Sequence, residues 1–137
     1  MDYWQRYKKY INQNNPFMTH NNIEIIEAEP DRAVAELTVC GDNLNPVGTL
    51  HGGALFTMSD SVAGTAARSN GMKYVTLNSS FEFIRSIKKG TIRATARVRR
   101  RGRTICLTAV EVTDQEGRLL AEGKFTMFCL GEPAKID

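Results

Sequence analysis

The 137-residue chain lacks several features that would indicate particular classes of protein. It has no apolar run near the ~20 residues that a membrane-spanning helix needs, so we expect no membrane segment. Its first ten residues, MDYWQRYKKY, contain no apolar core followed by small residues, so a secretory signal is not indicated. A cytoplasmic protein is the expectation. At this length we expect a single domain over residues 1–137.

Cysteine and histidine are scarce. The three cysteines, Cys40, Cys106 and Cys129, match no metal-ligand spacing and lie in or beside apolar stretches. We therefore expect buried, chemically inert thiols and no metal site. The only histidines are His20 and His51, which leaves few partners for a nucleophilic cysteine.

Acidic residues are absent from the stretch between Arg85 and Arg103, which holds nine of the chain's 18 lysines and arginines. Aromatic residues are absent from it too, so the base stacking used by single-strand binders is not available and no nucleic-acid partner is predicted. Clustered guanidinium and ammonium groups bind phosphates well. The stretch therefore either holds a phosphate-bearing ligand or forms the solvated rim of two hairpins.

A loop followed by a helix, between Asn45 and Asn70, organises the rest of the chain. After His51-Gly52-Gly53, apolar residues recur at helical spacing, namely Leu55, Met58, Val62, Ala63 and Ala66. Because the glycines leave N–H groups uncovered at the positive end of the helix, this end can hold an anion or a developing oxyanion. Asp60 follows as an acid in an otherwise largely apolar helix.

Strand-like segments surround this helix. A short amphipathic helix is predicted over 2–18, with a polar turn to residue 20, and a hairpin of strands at 23–29 and 33–39. Four more strands are predicted at 74–84, 90–99, 103–113 and 118–130, and residues 131–137 are read as a polar tail. The pattern predicts an α+β domain in which one long helix is wrapped by a curved, mostly antiparallel sheet of about six strands. Such a small sheet exposes an edge and a face, which predicts a homodimer or homotetramer.

The set Asn45-x-x-Gly48-x-x-His51-Gly52-Gly53, followed by Asp60, resembles the hotdog-fold thioesterases of the PaaI-like type. The similarity continues in order through Thr76, Phe83-Ile84-Arg85, Lys89-Gly90, Arg101-Gly102-Arg103 and residues 113–118. It covers about residues 22–131. Ser86 stands where the family commonly has proline.

The resemblance implies a hotdog subunit, a back-to-back dimer whose two sheets join, and commonly a tetramer of such dimers. It implies hydrolysis of an acyl-coenzyme A thioester, with no metal, prosthetic group or other cofactor. It also implies an active site shared across the dimer, in which one subunit supplies the loop and helix start and the other supplies the acid.

Residue by residue, the resemblance implies that the Gly52 N–H binds the oxyanion and that Asp60 is the nucleophile or the general base. Asn45 and His51 would position the thioester and polarise its carbonyl or assist the leaving sulfur, and Thr76 would orient the water or the acid. Each has a structural alternative: a turn glycine, a solvated helix carboxylate, a turn asparagine, a histidine at a helix start and a plain strand threonine.

Substrate-binding residues are predicted on both sides of this set. Asn78 and Ser80 are expected on the same strand face as Thr76, lining an acyl pocket, and Gly53 at the helix start. The phenylalanines Phe56, Phe81 and Phe83 either line that pocket or belong to the core. The candidates for contact with the coenzyme A phosphates are Arg85, Lys88, Lys89, Arg101 and Arg103.

Two other functions compete with hydrolysis. A hydroxyacyl-thioester dehydratase of the same fold pairs a histidine with a carboxylate, but the full Asn-Gly-His-Gly-Gly-Asp set favours hydrolysis. A non-catalytic acyl-CoA-binding regulator would need a partner domain, and no helix-turn-helix segment is recognisable. The sequence does not disclose the acyl group.

Overall fold

The computed structural model describes residues 1–136 and has the α+β architecture that the sequence predicts. Its α-helices are α1 (Tyr3–Asn14), α2 (Pro16–His20) and α3 (Gly52–Ala67). Its strands are β1 (Ile23–Glu29), β2 (Arg32–Thr38), β3 (Met72–Phe83), β4 (Thr91–Arg101), β5 (Ile105–Thr113) and β6 (Leu119–Pro133). Short 3-10 turns occupy Gly41–Asn43 and Arg68–Asn70.

The six strands form one curved sheet around α3. Their order is β1-β2-β4-β5-β6-β3, and every neighbouring pair is antiparallel. Helix α3 is buried along most of its length because its small residues, from Ala63 to Ala67, allow the sheet to approach closely. Alternate residues of β4 and β5 face it, including Ile92, Val110 and Val112, and burying each such aliphatic side chain contributes about 1.5–3 kcal/mol.

The ends of the chain differ from the sequence-based prediction. The N-terminal segment forms two helices, because Asn15 ends α1 and its side chain accepts a hydrogen bond from the Met18 N–H at the start of α2. Met18 is fully buried and ties α2 to the body. The predicted polar tail is wrong for 131–133, because β6 continues to Pro133 opposite the start of β3. The last residue of the predicted tail, 137, lies outside the described residues.

One edge of the sheet is covered by a helix, and the other is open. The β1 edge is covered by α1, whose Asn12 side chain donates to the Ile25 carbonyl (3.0 Å) and accepts from the Ile25 N–H (2.8 Å). No element within residues 1–136 pairs with the outer edge of β3. Its Val75 and Leu77 side chains are 46% and 57% exposed. An open edge twelve residues long, with apolar side chains, is a site for strand pairing with another chain.

None of the helices within residues 1–136 is long and apolar enough to cross a bilayer. The cysteines are all free; Cys106 is buried, whereas Cys40 and Cys129 are only partly buried. Burial raises the pKa of the Cys106 thiol, which keeps it in the unreactive protonated form.

Candidate active site

The loop before α3 ends in a histidine that caps the helix. His51 is the N-cap residue, and its Nδ1 atom accepts a hydrogen bond from the Gly53 N–H (2.8 Å). A Cβ at Gly53 would lie 3.0 Å from that nitrogen, so any other residue there would crowd the folded-back imidazole. Because Nδ1 is an acceptor, the neutral ring carries its proton on Nε2. The exposed imidazole therefore offers an Nε2–H donor at the helix start.

Gly52 is the first residue of α3, and its backbone N–H has no hydrogen-bond acceptor among residues 1–136. Such an N–H lies at the positive end of the helix dipole. The ring of Phe83 lies beside it, since a Cβ built on Gly52 would be 3.3 Å from the ring. Phe83 itself is 57% exposed, so the donor and the aromatic ring share an accessible surface.

Asn45 organises the loop that leads to His51. Its Oδ1 atom accepts from the N–H groups of Val47 (3.1 Å) and Thr49 (3.0 Å), and its Nδ2 donates to the Thr49 hydroxyl (2.7 Å). The side chain is thus engaged within its own turn. This geometry supports the turn-asparagine alternative, and a direct contact of Asn45 with substrate stays a prediction.

The side chains of Asp60 and Thr76 are in contact, as expected if Thr76 orients the acid rather than the water. The Thr76 hydroxyl, on β3, donates to the Asp60 Oδ1 atom at 2.5 Å, and no donor within residues 1–136 is bound to Oδ2. The pair lies in an open cleft of about 300 Å³ between α3 and β3. The other lining residues are Asn15, Phe17, Phe56, Thr57, Ser61, Arg68 and Met127. The cleft thus combines a carboxylate with a mixed lining, in which Phe17, Phe56 and Met127 are apolar and the other residues are polar or charged.

Sequence reasoning missed Arg68 and Phe17 in this cleft. Phe17 comes from α2, a helix that the sequence pattern merged with α1, so nothing placed it near Asp60. Arg68 follows the last residue of α3. The only sequence feature that could have indicated its position in the cleft is Gly64, four residues earlier. A larger cleft of about 480 Å³ between α1 and residues 134–136 shares only Asn15 and Arg68 with the first.

A β-bulge overturns the prediction for Asn78 and Ser80. The register of β3 shifts between Thr76 and Asn78, so that Thr76 pairs with Met127 but Asn78 pairs with Thr126. Adjacent residues of β6 point to opposite faces of the sheet. Asn78 and Ser80 therefore lie on the outer face, away from Thr76, and cannot line the same pocket within this subunit.

The phenylalanines divide between core and site. Phe56 packs edge-on against Phe81 (ring centroids 5.6 Å apart), and both contact the fully buried Phe125. Phe83 touches the outer side of Phe81 (5.0 Å) and reaches Gly52. The aromatic cluster thus runs from the core to the start of α3.

The five basic residues predicted to contact coenzyme A separate into two groups at opposite ends of α3. Arg85, Lys88 and Lys89 are exposed in the loop after β3, and the Ile87 carbonyl in that loop accepts from the Leu50 N–H (2.8 Å). This hydrogen bond fixes the loop beside the helix start. The loop that carries the three cations therefore lies near the uncovered Gly52 N–H at the start of α3.

Arg101 lies at the far end of α3 and is already engaged. Its guanidinium donates to the carbonyls of Ala66 (3.3 Å) and Ala67 (2.9 Å), to the Tyr74 hydroxyl (3.0 Å) and to the Asp31 carboxylate (2.8 Å). It therefore caps the helix C-terminus, a structural role that leaves little capacity for phosphate. Arg103 is exposed in the neighbouring β4–β5 turn.

The candidate oxyanion donor, Gly52, and the candidate reactive acid, Asp60, do not meet within one chain. Gly52 and Asp60 are eight residues apart on one straight helix, which separates them by about 12 Å along its axis. A single thioester carbonyl therefore cannot contact both within this subunit.

Comparison with known proteins identifies the family to which this chain belongs. The family model of the thioesterase superfamily matches residues 47–121, more than half of the chain. Human acyl-coenzyme A thioesterase 13 is 31% identical over 108 residues, covering 76% of this chain and 77% of its own. The acyl-coenzyme A thioesterase PaaI of Escherichia coli is 32% identical over 100 residues, covering 72% and 71%. The chain belongs to the thioesterase superfamily, and it is a hydrolase.

Comparison with solved structures shows which members of the superfamily this chain resembles. The E. coli PaaI structure superposes with a TM-score of 0.89 at 25% identity, covering 98% of this chain and all of its own. A hypothetical thioesterase of Streptococcus pneumoniae with coenzyme A matches with a TM-score of 0.78 at 34% identity, covering 82% and 92%. Two further structures of that protein carry an aspartate-to-alanine and a threonine-to-alanine substitution, at positions sixteen residues apart. Within the superfamily the chain is a PaaI-like hotdog thioesterase, as its motifs predict.

Proposed function

We propose that this protein hydrolyses acyl-coenzyme A thioesters to a free acid and coenzyme A, with Asp60 as the reactive carboxylate. The observation that carries the proposal is the hydrogen bond from Thr76 to Asp60 in an open cleft. The two residues are sixteen positions apart. This is the separation of the substituted aspartate and threonine in the coenzyme A-bound relative.

The active site is completed by a second subunit. The ~12 Å between Gly52 and Asp60 along α3 requires a second copy if both act on one carbonyl. Pairing of β3 with β3 of the partner gives the open edge its missing hydrogen bonds and brings Thr76 and Asp60 close to the subunit boundary. Each dimer then has two sites, each with Gly52 from one chain and Asp60 from the other.

The chemistry follows from the atoms available. The free Oδ2 of Asp60 attacks the thioester carbon or removes a proton from an attacking water, while Thr76 holds Oδ1. The negative charge that develops on the carbonyl oxygen is bound by the Gly52 N–H and the helix dipole. The carbon–sulfur bond then breaks, and the His51 Nε2–H is placed to donate to the departing sulfur. If Asp60 attacks directly, water hydrolyses the resulting anhydride.

The substrate's phosphates are bound beside the same helix start. Arg85, Lys88 and Lys89 lie in the loop that is hydrogen-bonded to Leu50, immediately before His51. A nucleotide phosphate there meets three cations and the positive end of α3. Arg101 is left out of this set because its donors are used at the other end of the helix. The reaction as proposed uses no metal or prosthetic group.

A panel of acyl-CoA substrates assayed for free thiol release tests the proposal. The native protein should release coenzyme A from at least one of them, and Asp60→Asn should lower kcat by about 100- to 10,000-fold. Asp42→Asn, at an exposed acid in the turn before the loop, is the matched control and should retain native turnover. Near-native turnover by Asp60→Asn would contradict the assignment. Substrate binding without thiol release by the native protein would favour the non-catalytic alternative.

A further inference from the structure

The guanidinium of Arg68 is folded back along α3 toward Asp60. A Cβ at Gly64 would lie 2.8 Å from the Arg68 Nη1 atom, so the missing side chain of Gly64 makes the space that the guanidinium fills. Gly64 and Asp60 are one helical turn apart, and side chains with this spacing have Cβ atoms about 5–6 Å apart. The positive charge is therefore held close to the carboxylate, although Arg68 begins eight residues away.

The Arg68 guanidinium is only lightly engaged by the protein. Its Nη2 donates to the Tyr74 carbonyl (3.0 Å), and this is its only side-chain hydrogen bond within residues 1–136. A guanidinium has five N–H donors. No carboxylate lies within ion-pair distance of Arg68 in the same range, whereas Arg101 and Arg32 are both paired with acids.

The Arg68 side chain lies in a cleft with both polar and apolar walls. Arg68 lines the same cleft as Asp60 and Thr76, and Phe17, Phe56 and Met127 form apolar walls. A cation in a partly apolar cleft favours an anionic partner, and a guanidinium binds a carboxylate through two parallel hydrogen bonds. Asp60 does not fill this role, because no ion pair joins its carboxylate to Arg68.

We propose that Arg68 binds a terminal carboxylate on the acyl group, so that the preferred substrates are coenzyme A thioesters of short dicarboxylic acids. The inference rests on the proposed thioesterase function and on the reaction occurring at Asp60. The thioester carbonyl lies against Asp60, the methylene chain lies between the apolar walls, and the distal carboxylate reaches the guanidinium about one helical turn away. Succinyl and glutaryl groups have the length that this separation requires.

The test compares two five-carbon substrates, glutaryl-CoA and pentanoyl-CoA, which differ at the distal end. The native protein should have the higher kcat/KM with glutaryl-CoA. Arg68→Met should lower kcat/KM for glutaryl-CoA by about 10- to 100-fold more than kcat/KM for pentanoyl-CoA, the effect of losing hydrogen bonds to a charged group. Arg68→Lys should retain part of the preference because it keeps the charge. Arg6→Met removes an exposed arginine of α1 and should change neither substrate.

The ratio of the two kcat/KM values distinguishes binding of the distal carboxylate by Arg68 from a purely structural role of Arg68. If Arg68→Met lowers both substrates equally, the guanidinium only fixes the end of α3 to β3, and the proposal is wrong. It is also wrong if the native protein hydrolyses pentanoyl-CoA at least as well as glutaryl-CoA. If the native protein hydrolyses no acyl-CoA in the panel, the proposed function itself fails, which is a different result.

Discussion

Removing one backbone donor, the Gly52 N–H, tests the oxyanion role with little disturbance of the fold. Gly52→Pro deletes that N–H, and proline is well tolerated at the first position of a helix because this N–H has no partner within the helix. The preceding residue must be extended, and His51 already has φ −62° and ψ 134°, which suits a residue before proline. Helix α3 should therefore form normally in the variant.

The expected loss is large and falls on kcat. Removing one donor from an oxyanion site typically costs about 100- to 1000-fold in kcat. No other N–H at the helix start replaces it directly, because the Gly53 N–H is already donated to His51. KM should change less, since the donor acts mainly on charge that develops during the reaction.

Gly52→Ala is the matched control. It keeps the N–H but adds a Cβ at 3.3 Å from the Phe83 ring, a contact that this half-exposed ring can relieve by a small movement. Steady-state hydrolysis of one acyl-CoA, followed by thiol release, and thermal unfolding should be measured for both variants. If Gly52→Pro retains its native melting temperature and its kcat stays within a few-fold of Gly52→Ala, the oxyanion assignment is wrong.

Three further predictions separate the other roles. Thr76→Val should lower kcat by about 10- to 100-fold because Asp60 loses a hydrogen bond from a neutral donor to its charge, and Thr76→Ser should restore most of it; equal loss in both would contradict this. Replacing Arg85, Lys88 and Lys89 together by methionine should raise KM for acyl-CoA and leave a pantetheine thioester unaffected, as expected for lost phosphate contacts. Arg101→Met should instead lower the free energy of unfolding by about 2 kcal/mol without raising KM. A higher KM would indicate that Arg101 contacts coenzyme A.

Helix α3 could be predicted from the sequence. Helical spacing of small and apolar residues defined α3, and the isolated acid in it made Asp60 the candidate catalytic residue, a role that stays a prediction. The resemblance implied that Thr76 orients the water or the acid, and the structure shows a hydrogen bond from Thr76 to Asp60. The prediction of α3 succeeded because it depends on local periodicity.

Other parts depend on interactions that the sequence pattern does not show. The bulge in β3 has no glycine to announce it, so simple alternation carried Asn78 and Ser80 to the wrong face. The nine basic residues form one run in the sequence, but the hairpins place Arg85 and Arg101 at opposite ends of a helix about 24 Å long. The position of Arg68 depends on its side chain folding back over Gly64, which no periodicity reports.

The proposed active site, shared between two subunits, can be tested by mixing two inactive variants. Sedimentation of the native protein should first show a dimer or a larger even-numbered assembly. Asp60→Ala and Gly52→Pro subunits, each nearly inactive alone, should then be mixed in equal amounts under conditions that allow subunit exchange. In a mixed dimer, Gly52 of the first variant and Asp60 of the second form one intact site.

Random exchange makes about half of the dimers mixed, with one intact site of two, so the mixture should regain about a quarter of native turnover. If each site lay within one chain, every chain would carry a defect and no activity would return. Recovery of thiol release on mixing, absent when either variant is incubated alone, is the predicted result. Continued inactivity of a mixture shown to contain mixed dimers would contradict the shared site.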